Sequence, residues 1–335
     1  MKMDKSKIKE YREFLLNKEN VTGVSRGFRV DEDGNVVSDE EVWVVTVKEK
    51  KDEFELASSD VVPKSIDGVD TIVRDFGDIK AQSESEVYKE KTRPLKGGVS
   101  FGLQNGPSGT LGVSLESENK FYLLSNNHVI ADTNDAQIGS DLIQPASADS
   151  ERRNYCGELE RYVKIDFKEN RLSKPGLFSK LCQFFKSLFG GGSSNSKIKE
   201  SELKYNQVDC ALGELRSCST KINEVLKVGK IKGIRKPELG MPVRKVGRTS
   251  GVTEGQIVQM DATIEVGFSF GRKAMFEDQI ITTPLSSPGD SGSVVLDEDN
   301  YLVGLLFSGS EKVTILNPIG LVFDNLNIDP NFKNA

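Results

Sequence analysis

The chain has 335 residues, of which 36% are hydrophobic and 29% are charged, and its formal net charge is -6 at pH 7. These values predict a globular protein of about two or three domains. The acidic balance disfavours a nucleic-acid partner, and no apolar run has the length of a transmembrane segment. Because the stretch from Met1 to Lys7 leads into charged residues, we expect no secretory signal and a cytoplasmic location.

The N-terminal eighty residues have the pattern of a small α+β module. Near the start, apolar residues recur at helical spacing, and strand-like runs follow. The helix positions are Ile8, Tyr11 and Leu15, and strands are expected near residues 21–30, 43–47 and 69–73. We therefore predict a module over residues 1–80, and a linker over 81–96 because most of that stretch is polar.

From residue 97 the pattern changes to short strands separated by Gly, Asn and Ser, which is typical of a barrel or a sandwich. The expected strands are 108–115, 120–125, 140–144, 159–167 and 208–215, followed by 241–258, 262–268, 279–283, 293–296 and 302–307. Two barrels of about six strands each fit this count. The predicted fold is thus mainly β, a double six-stranded barrel over residues 97–330 preceded by the α+β module.

An insertion at about residues 168–206 interrupts the strand pattern. Its apolar residues fall on one helical face that ends at three glycines; they are Phe178, Leu181, Cys182, Phe185, Leu188 and Phe189. The simplest interpretation is a helix docked on the barrels. A lid, a partner-binding helix or a membrane-surface helix stays open, so the Phe178 to Phe189 stretch is a candidate contact surface.

Four cysteines, Cys156, Cys182, Cys210 and Cys218, are irregularly spaced and form no CxxC pair. This spacing disfavours both a zinc site and a disulfide scaffold. We expect reduced thiols, and neither a metal nor an organic cofactor.

His128 is the only histidine of the chain, and Ser291 lies far downstream in Gly289-Asp290-Ser291-Gly292-Ser293. Acyl transfer by serine needs a hydroxyl nucleophile and an imidazole that takes its proton. The backbone N–H groups of Gly289 and Ser291 are candidates for an oxyanion hole, because glycine permits the required turn. The alternatives are a structural histidine and an ordinary turn serine.

A carboxylate must orient the imidazole. Asp209 is the first candidate, because it follows Val208 on an apolar stretch and a buried carboxylate needs a partner. Asp166, at the end of another apolar stretch, is the rival. In a third interpretation Asp209 is an exposed loop residue and the acid lies elsewhere.

Several motifs spread over residues 90–325 combine into one resemblance. They are Gly97-Gly98-Val99-Ser100, Gly109-Thr110-Leu111-Gly112, Leu124-Ser125-Asn126-Asn127-His128-Val129, Gln144-Pro145, Val208-Asp209-Cys210-Ala211, Gly247-Arg248-Thr249-Ser250-Gly251 and Gly289-Asp290-Ser291-Gly292. They resemble the trypsin-like, chymotrypsin-fold serine peptidase superfamily, most closely its intracellular bacterial members and the plant narrow-leaf proteins. The resemblance implies a double β-barrel with the active site in the cleft between the barrels.

The resemblance also implies where substrate selection and activation occur. Trypsin-like digestive enzymes place the acid that selects Lys or Arg six residues before the catalytic serine, and here that position is Leu285. We therefore expect a neutral or apolar P1 residue, with Ser308 and Gly309 in the other pocket wall. Digestive relatives pair a new N-terminal amine with the aspartate before the serine, here Asp290. We expect an internal base instead, Arg248 first and Lys245 second, although Arg248 also fits a solvated surface residue.

The expected function is that of a serine endopeptidase acting on protein or peptide substrates through His128, Asp209 and Ser291. The first alternative is a catalytically silent scaffold that binds a protein partner. The second is an adaptor that uses the phenylalanine-rich helix.

Overall fold

The structure is a computed structural model that describes residues 5–30, 36–52, 55–77, 88–152, 154–168 and 205–332. The predicted Phe178 to Phe189 helix and residues 81–87 of the predicted linker lie outside the described residues. No helix in the described ranges is both long enough and apolar enough to cross a bilayer.

The N-terminal segment contains one helix and four strands within its described residues. They are α1 (Lys5–Leu16), β1 (Val21–Val30), β2 (Val36–Val47), β3 (Ser65–Ile66) and β4 (Val69–Asp75). The apolar side chains of this segment pack around the buried Trp43, whose indole N–H donates to the Ile66 carbonyl at 3.2 Å. The predicted α+β composition of this segment agrees with the structure.

The first barrel-like sheet contains seven of the described strands, in the order β7-β6-β10-β11-β13-β9-β8. The described elements from residue 95 to residue 230 are β5 (Leu95–Gly97), β6 (Ser100–Leu103), β7 (Ser108–Thr110), β8 (Val113–Ser117), β9 (Lys120–Ser125), the short helix α2 (Asn127–Ile130), β10 (Asp141–Ile143), β11 (Tyr155–Tyr162), β12 (Tyr205–Asn206), β13 (Ala211–Leu215), β14 (Thr220–Val225) and β15 (Gly229–Lys230). Strands β5, β14 and β15 form a separate three-stranded sheet, and β12 pairs with a strand of the second barrel.

The predicted strand at residues 108–115 is two strands, β7 and β8, and the sheet also contains β6, which was not predicted, so it has seven described strands instead of the expected six. The predicted strand is interrupted at Gly112, where a Cβ atom would lie 2.6 Å from the Gly292 carbonyl oxygen. The first barrel therefore approaches the loop around Ser291 backbone against backbone.

The second barrel is a closed ring of six described strands, in the order β18-β19-β22-β21-β20-β17 and back to β18. Its elements, with β16 and the C-terminal helix, are β16 (Gly233–Ile234), β17 (Pro242–Gly247), β18 (Gly251–Gly267), β19 (Lys273–Thr282), β20 (Val294–Asp297), β21 (Tyr301–Gly309), β22 (Thr314–Pro318) and α3 (Ile319–Leu326). Closure leaves no free strand edge within the ring. The predicted mainly β fold with barrel-like sheets is confirmed.

The N-terminal sheet continues the second barrel. Strand β1 pairs antiparallel with β18, placing Gly23 opposite Ile264 and Gly27 opposite Gln259. An ion pair joins Arg12 on α1 to Glu277 on β19. These contacts make the N-terminal segment an extension of the barrel sheet.

Replacing Gly27 by alanine should weaken this junction. The added Cβ would lie 2.6 Å from the Val258 carbonyl oxygen, so one strand must shift. We expect a loss of about 1–3 kcal/mol in the free energy of unfolding, measured by denaturant titration. Gly320→Ala is the control, because its Cβ meets no atom within 4 Å and alanine favours a helix by up to about 1 kcal/mol. Equal stability of the two variants would contradict the expectation.

Candidate active site

His128 lies on the short helix α2, just after strand β9 ends at Ser125. Its Nδ1 lies 2.5 Å from Asp209 Oδ2, and its backbone N–H donates to Asp209 Oδ1 at 3.2 Å. One carboxylate thus fixes both the ring and the backbone of the histidine. An anionic partner at Nδ1 favours the tautomer that carries its proton there, which leaves Nε2 as a base.

Asp209 is fully buried just before strand β13. Two amide side chains hold its backbone: Asn317 Oδ1 accepts from the Asp209 N–H at 2.9 Å, and Asn126 Nδ2 donates to its carbonyl at 2.7 Å. Asn317 is held in turn by Gln279, with Nδ2 2.6 Å from Gln279 Oε1. Asn317 and Gln279 were not identified from the sequence. The available signal for Asn317 was a polar residue after apolar ones in β22, whereas Gln279 follows two acidic residues in β19 and had no such signal.

Asp166, the rival acid, lies elsewhere. Its backbone N–H and carbonyl both bond to the side chain of Asn206, at 2.8 and 2.9 Å. Among the described residues, the carboxylate in contact with the His128 ring is that of Asp209.

Ser291 is fully buried in a loop that glycine makes possible. Gly289 and Gly292 have φ angles of +100° and +95°, which strain any side chain. The Ser291 hydroxyl donates to the Phe307 carbonyl at 3.5 Å, and His128 Nε2 is buried without a hydrogen-bond partner among the described groups. The two side chains are thus not hydrogen-bonded in this structure; catalytic hydrogen bonds often tighten only when substrate binds.

The histidine and serine segments meet at Gly109 on strand β7. A Cβ there would lie 2.7 Å both from the Ser291 carbonyl oxygen and from a methyl group of Val129, the residue after His128. The N–H groups of Gly289 and Ser291 donate to no other group in the described part of the chain. Two unused donors therefore accompany the serine, as an oxyanion hole requires.

Asp290 is paired with Lys245, the second choice of the sequence analysis, and not with Arg248. Lys245 Nζ lies 2.8 Å from Asp290 Oδ2, and both side chains are fully buried. The N–H groups of Thr249 and Ser250 donate to Oδ1 at 2.9 and 3.1 Å. Burial lowers the pKa of Lys245, and the attraction of Asp290 offsets this only in part.

The geometry of strand β17 explains why Lys245, and not Arg248, pairs with Asp290. Side chains two residues apart lie on one face of a strand, and a Cβ at Gly247 would lie 2.2 Å from Asp290 Oδ1. Asp290 thus occupies the space over Gly247, beside Lys245 on the same face. Arg248, beyond the strand end, forms a bidentate pair with Asp149 at 2.6 and 2.7 Å.

Arg248 is also not a solvated surface residue, since it is 1% exposed. Burial acts to raise the pKa of Asp149, but hydrogen bonds from Arg248 and Ser100 outweigh this and lower it below its usual value. The Arg248 to Asp149 pair thus ties the turn after β17 to the first barrel.

The predicted pocket residues lie in and beside the core of the second barrel. Leu285 is 3% exposed and packs in a core cluster with Val243, Ile257 and Leu306. Its N–H donates to Thr314 Oγ1 at 3.1 Å, and Thr314 pairs with Gly309. Ser308 is fully buried, and its hydroxyl has no partner among the described groups. These neutral side chains lie near one another, while a role in substrate selection stays a prediction.

Phe268, which the sequence analysis also missed, lies against the catalytic histidine candidate. The Phe268 and His128 ring centroids are 6.1 Å apart in an edge-to-face arrangement, and Phe167 packs on Phe268 at 5.6 Å. The β18–β19 hairpin thus covers part of the imidazole. Within the described ranges, no group of three or more His, Cys, Asp or Glu side chains is placed to hold a metal ion.

No family model matches the chain, and no curated protein is significantly similar. Among solved structures, Nocardiopsis protease is similar at 16% identity and a TM-score of 0.46, covering 71% of this chain and 98% of that one. Thermobifida fusca protease A gives 15% and 0.44, covering 70% and 97%. Cellulomonas bogoriensis chymotrypsin gives 16% and 0.44, covering 71% and 99%.

Proposed function

We propose that this chain is a serine endopeptidase in which Ser291 attacks a peptide carbonyl. The observation that carries the proposal is the contact of Asp209 with both the ring and the backbone of His128, which leaves Nε2 free of any partner in the described part of the chain. The loop of Ser291 and two unused N–H donors lie beside that histidine segment.

In the proposed reaction, His128 Nε2 takes the proton of the Ser291 hydroxyl while Ser291 Oγ bonds to the substrate carbonyl carbon. The N–H groups of Gly289 and Ser291 stabilise the negative oxygen, each contributing about 10²–10³ in rate. Protonated His128 then gives its proton to the leaving amine. Water, activated by the same nitrogen, releases the acyl group from Ser291.

The substrate is proposed to be a protein or peptide with a neutral or apolar P1 residue. Leu285 stands where an acid selects basic residues in trypsin-like digestive enzymes, and the nearby side chains of Ser308 and Thr314 are uncharged. The closer resemblance to intracellular bacterial members and plant narrow-leaf proteins, and a cytoplasmic location, stay predictions.

Labelling with a fluorophosphonate probe tests the proposal. The probe bonds covalently to an activated serine oxygen, so wild type should be labelled and Ser291→Ala and His128→Ala should not. Ser286→Ala is the matched control, because this half-buried serine bonds to Thr314 in the same region. Labelling that persists in Ser291→Ala, or its absence from folded wild type, would refute the proposal.

A silent scaffold that binds a protein partner is the second candidate. It is favoured by the complete burial of Ser291 and by the bond of its hydroxyl to Phe307 rather than to His128. Folded wild-type protein that neither reacts with the probe nor cleaves peptides would support it.

A further inference from the structure

The direction of the two proposed oxyanion-hole donors, the N–H groups of Gly289 and Ser291, depends on the carbonyl of the same peptide unit. A trans peptide is planar, so its N–H and C=O point in opposite directions. The N–H of Gly289 shares its unit with the Pro288 carbonyl, and the N–H of Ser291 shares its unit with the Asp290 carbonyl. Whatever holds these two carbonyls therefore sets the aim of the two donors.

Side-chain hydroxyls hold both carbonyls. Thr249 Oγ1 donates to the Pro288 carbonyl at 2.7 Å. Ser293 donates to the Asp290 carbonyl twice, from its Oγ at 2.6 Å and from its N–H at 3.0 Å.

The peptide between these two units is held from the first barrel. Thr110 Oγ1 donates to the Gly289 carbonyl at 2.9 Å, and the Thr110 N–H donates to the Ser291 carbonyl at 2.8 Å. Thr110 Oγ1 itself accepts from the Arg248 N–H at 3.0 Å. Contacts between the first barrel and the Ser291 loop thus hold the middle of that loop in place.

The Pro288–Gly289 unit is the weakest point of this arrangement. Gly289, at φ +100°, has no Cβ to oppose rotation of the peptide on its N-terminal side. Thr249 Oγ1 is the hydrogen-bond donor to the Pro288 carbonyl among the described groups, whereas the Asp290 carbonyl has two. Without the Thr249 hydroxyl, this peptide is free to turn its carbonyl into the site and its N–H away.

Thr249 is itself held by the buried charge pair. It is 3% exposed, and its N–H donates to Asp290 Oδ1 at 2.9 Å, while Lys245 contacts the other oxygen of that carboxylate. The Lys245 to Asp290 pair is thereby connected to an oxyanion donor through one threonine.

We propose that Thr249 is a positioning residue whose hydroxyl, by holding the Pro288 carbonyl, aims the Gly289 N–H into the oxyanion hole. The proposal rests on the proposed peptidase function. Thr249 acts on the transition state through the Pro288–Gly289 peptide, which its hydroxyl contacts.

The kinetic test compares Thr249→Val with Thr249→Ser. Valine keeps the shape but removes the hydroxyl, so kcat on a peptide substrate should fall about 10–100-fold with KM within about threefold, because the lost interaction forms only in the transition state. Serine keeps the hydroxyl and should restore most of kcat. Thr253→Val is the matched control, since Thr253 Oγ1 donates to the Leu285 carbonyl at 2.5 Å, upstream of the oxyanion loop; it should keep kcat.

Crystal structures of wild type and Thr249→Val give a second measurement that needs no activity. The Pro288–Gly289 peptide should be rotated in the variant and unchanged in Thr253→Val. If valine disturbs the packing, Thr249→Ala serves in its place. A wild-type kcat in Thr249→Val, an equal loss in Thr253→Val, or an unrotated peptide would each overturn the proposal. An inactive wild type would refute the peptidase function, and the peptide orientation would still decide the role of Thr249.

Discussion

Asp209→Asn should lower kcat/KM by about 10⁴-fold while the protein stays folded. An asparagine amide at this position donates to Nδ1, which forces the ring proton onto Nε2. Nε2 then has no lone pair to accept the proton of Ser291. The loss comes from the wrong tautomer, because His128 is held in place by its backbone and by the packing of Phe268.

The matched control for this experiment is Asp166→Asn. The carboxylate at the His128 ring is that of Asp209 among the described residues, so Asp166→Asn should keep the wild-type rate. Steady-state hydrolysis of an ester or peptide substrate measures both variants, and circular dichroism checks their folding. A large rate loss in Asp166→Asn with a normal rate in Asp209→Asn would exchange the roles of the two acids.

Lys245→Met should destabilise the protein by about 3–5 kcal/mol and abolish hydrolysis, because it leaves the Asp290 carboxylate buried without its cation. Both side chains are fully buried, so water cannot replace the ammonium group without opening the structure. Asp290 also accepts the N–H groups of Thr249 and Ser250. A shift of this carboxylate would therefore disturb the oxyanion loop directly.

Two further variants separate charge burial from other effects of the lysine. In Lys245→Met/Asp290→Asn no buried charge is left alone, so part of the lost stability should return. Arg248→Met also breaks a buried pair, but with Asp149, and its folded fraction should keep its rate within about tenfold. Denaturant titration measures the stability of each variant. Active-site titration gives the concentration of active enzyme, from which the rate of the folded fraction follows. Full activity of Lys245→Met with none in Arg248→Met would restore Arg248 as the partner that governs the loop.

The motifs that predicted the site are local in the sequence. Gly289-Asp290-Ser291-Gly292 needs left-handed backbone at its glycines, and the structure has it at Gly289 and Gly292. The short alternating strands predicted barrel-like sheets for the same reason, since the side-chain period of a strand is a local property. The sequence did not reveal that the strand predicted at residues 108–115 is interrupted at Gly112. The interruption lies against the Gly292 carbonyl, which is 180 positions later in the sequence.

Taken by itself, the sequence determined the mainly β class and the candidate residues His128, Asp209 and Ser291, because periodicity and glycine-dependent turns are encoded within a few neighbouring residues. Only the tertiary structure decided which base meets Asp290, since Lys245 and Arg248 are three positions apart and their partners come from distant segments. It also decided the supports of Asp209 and of the oxyanion loop, Asn317 and Thr249 among them. A hydrogen bond between distant segments depends on how the sheets pack against each other, and this packing cannot be predicted from a local sequence pattern.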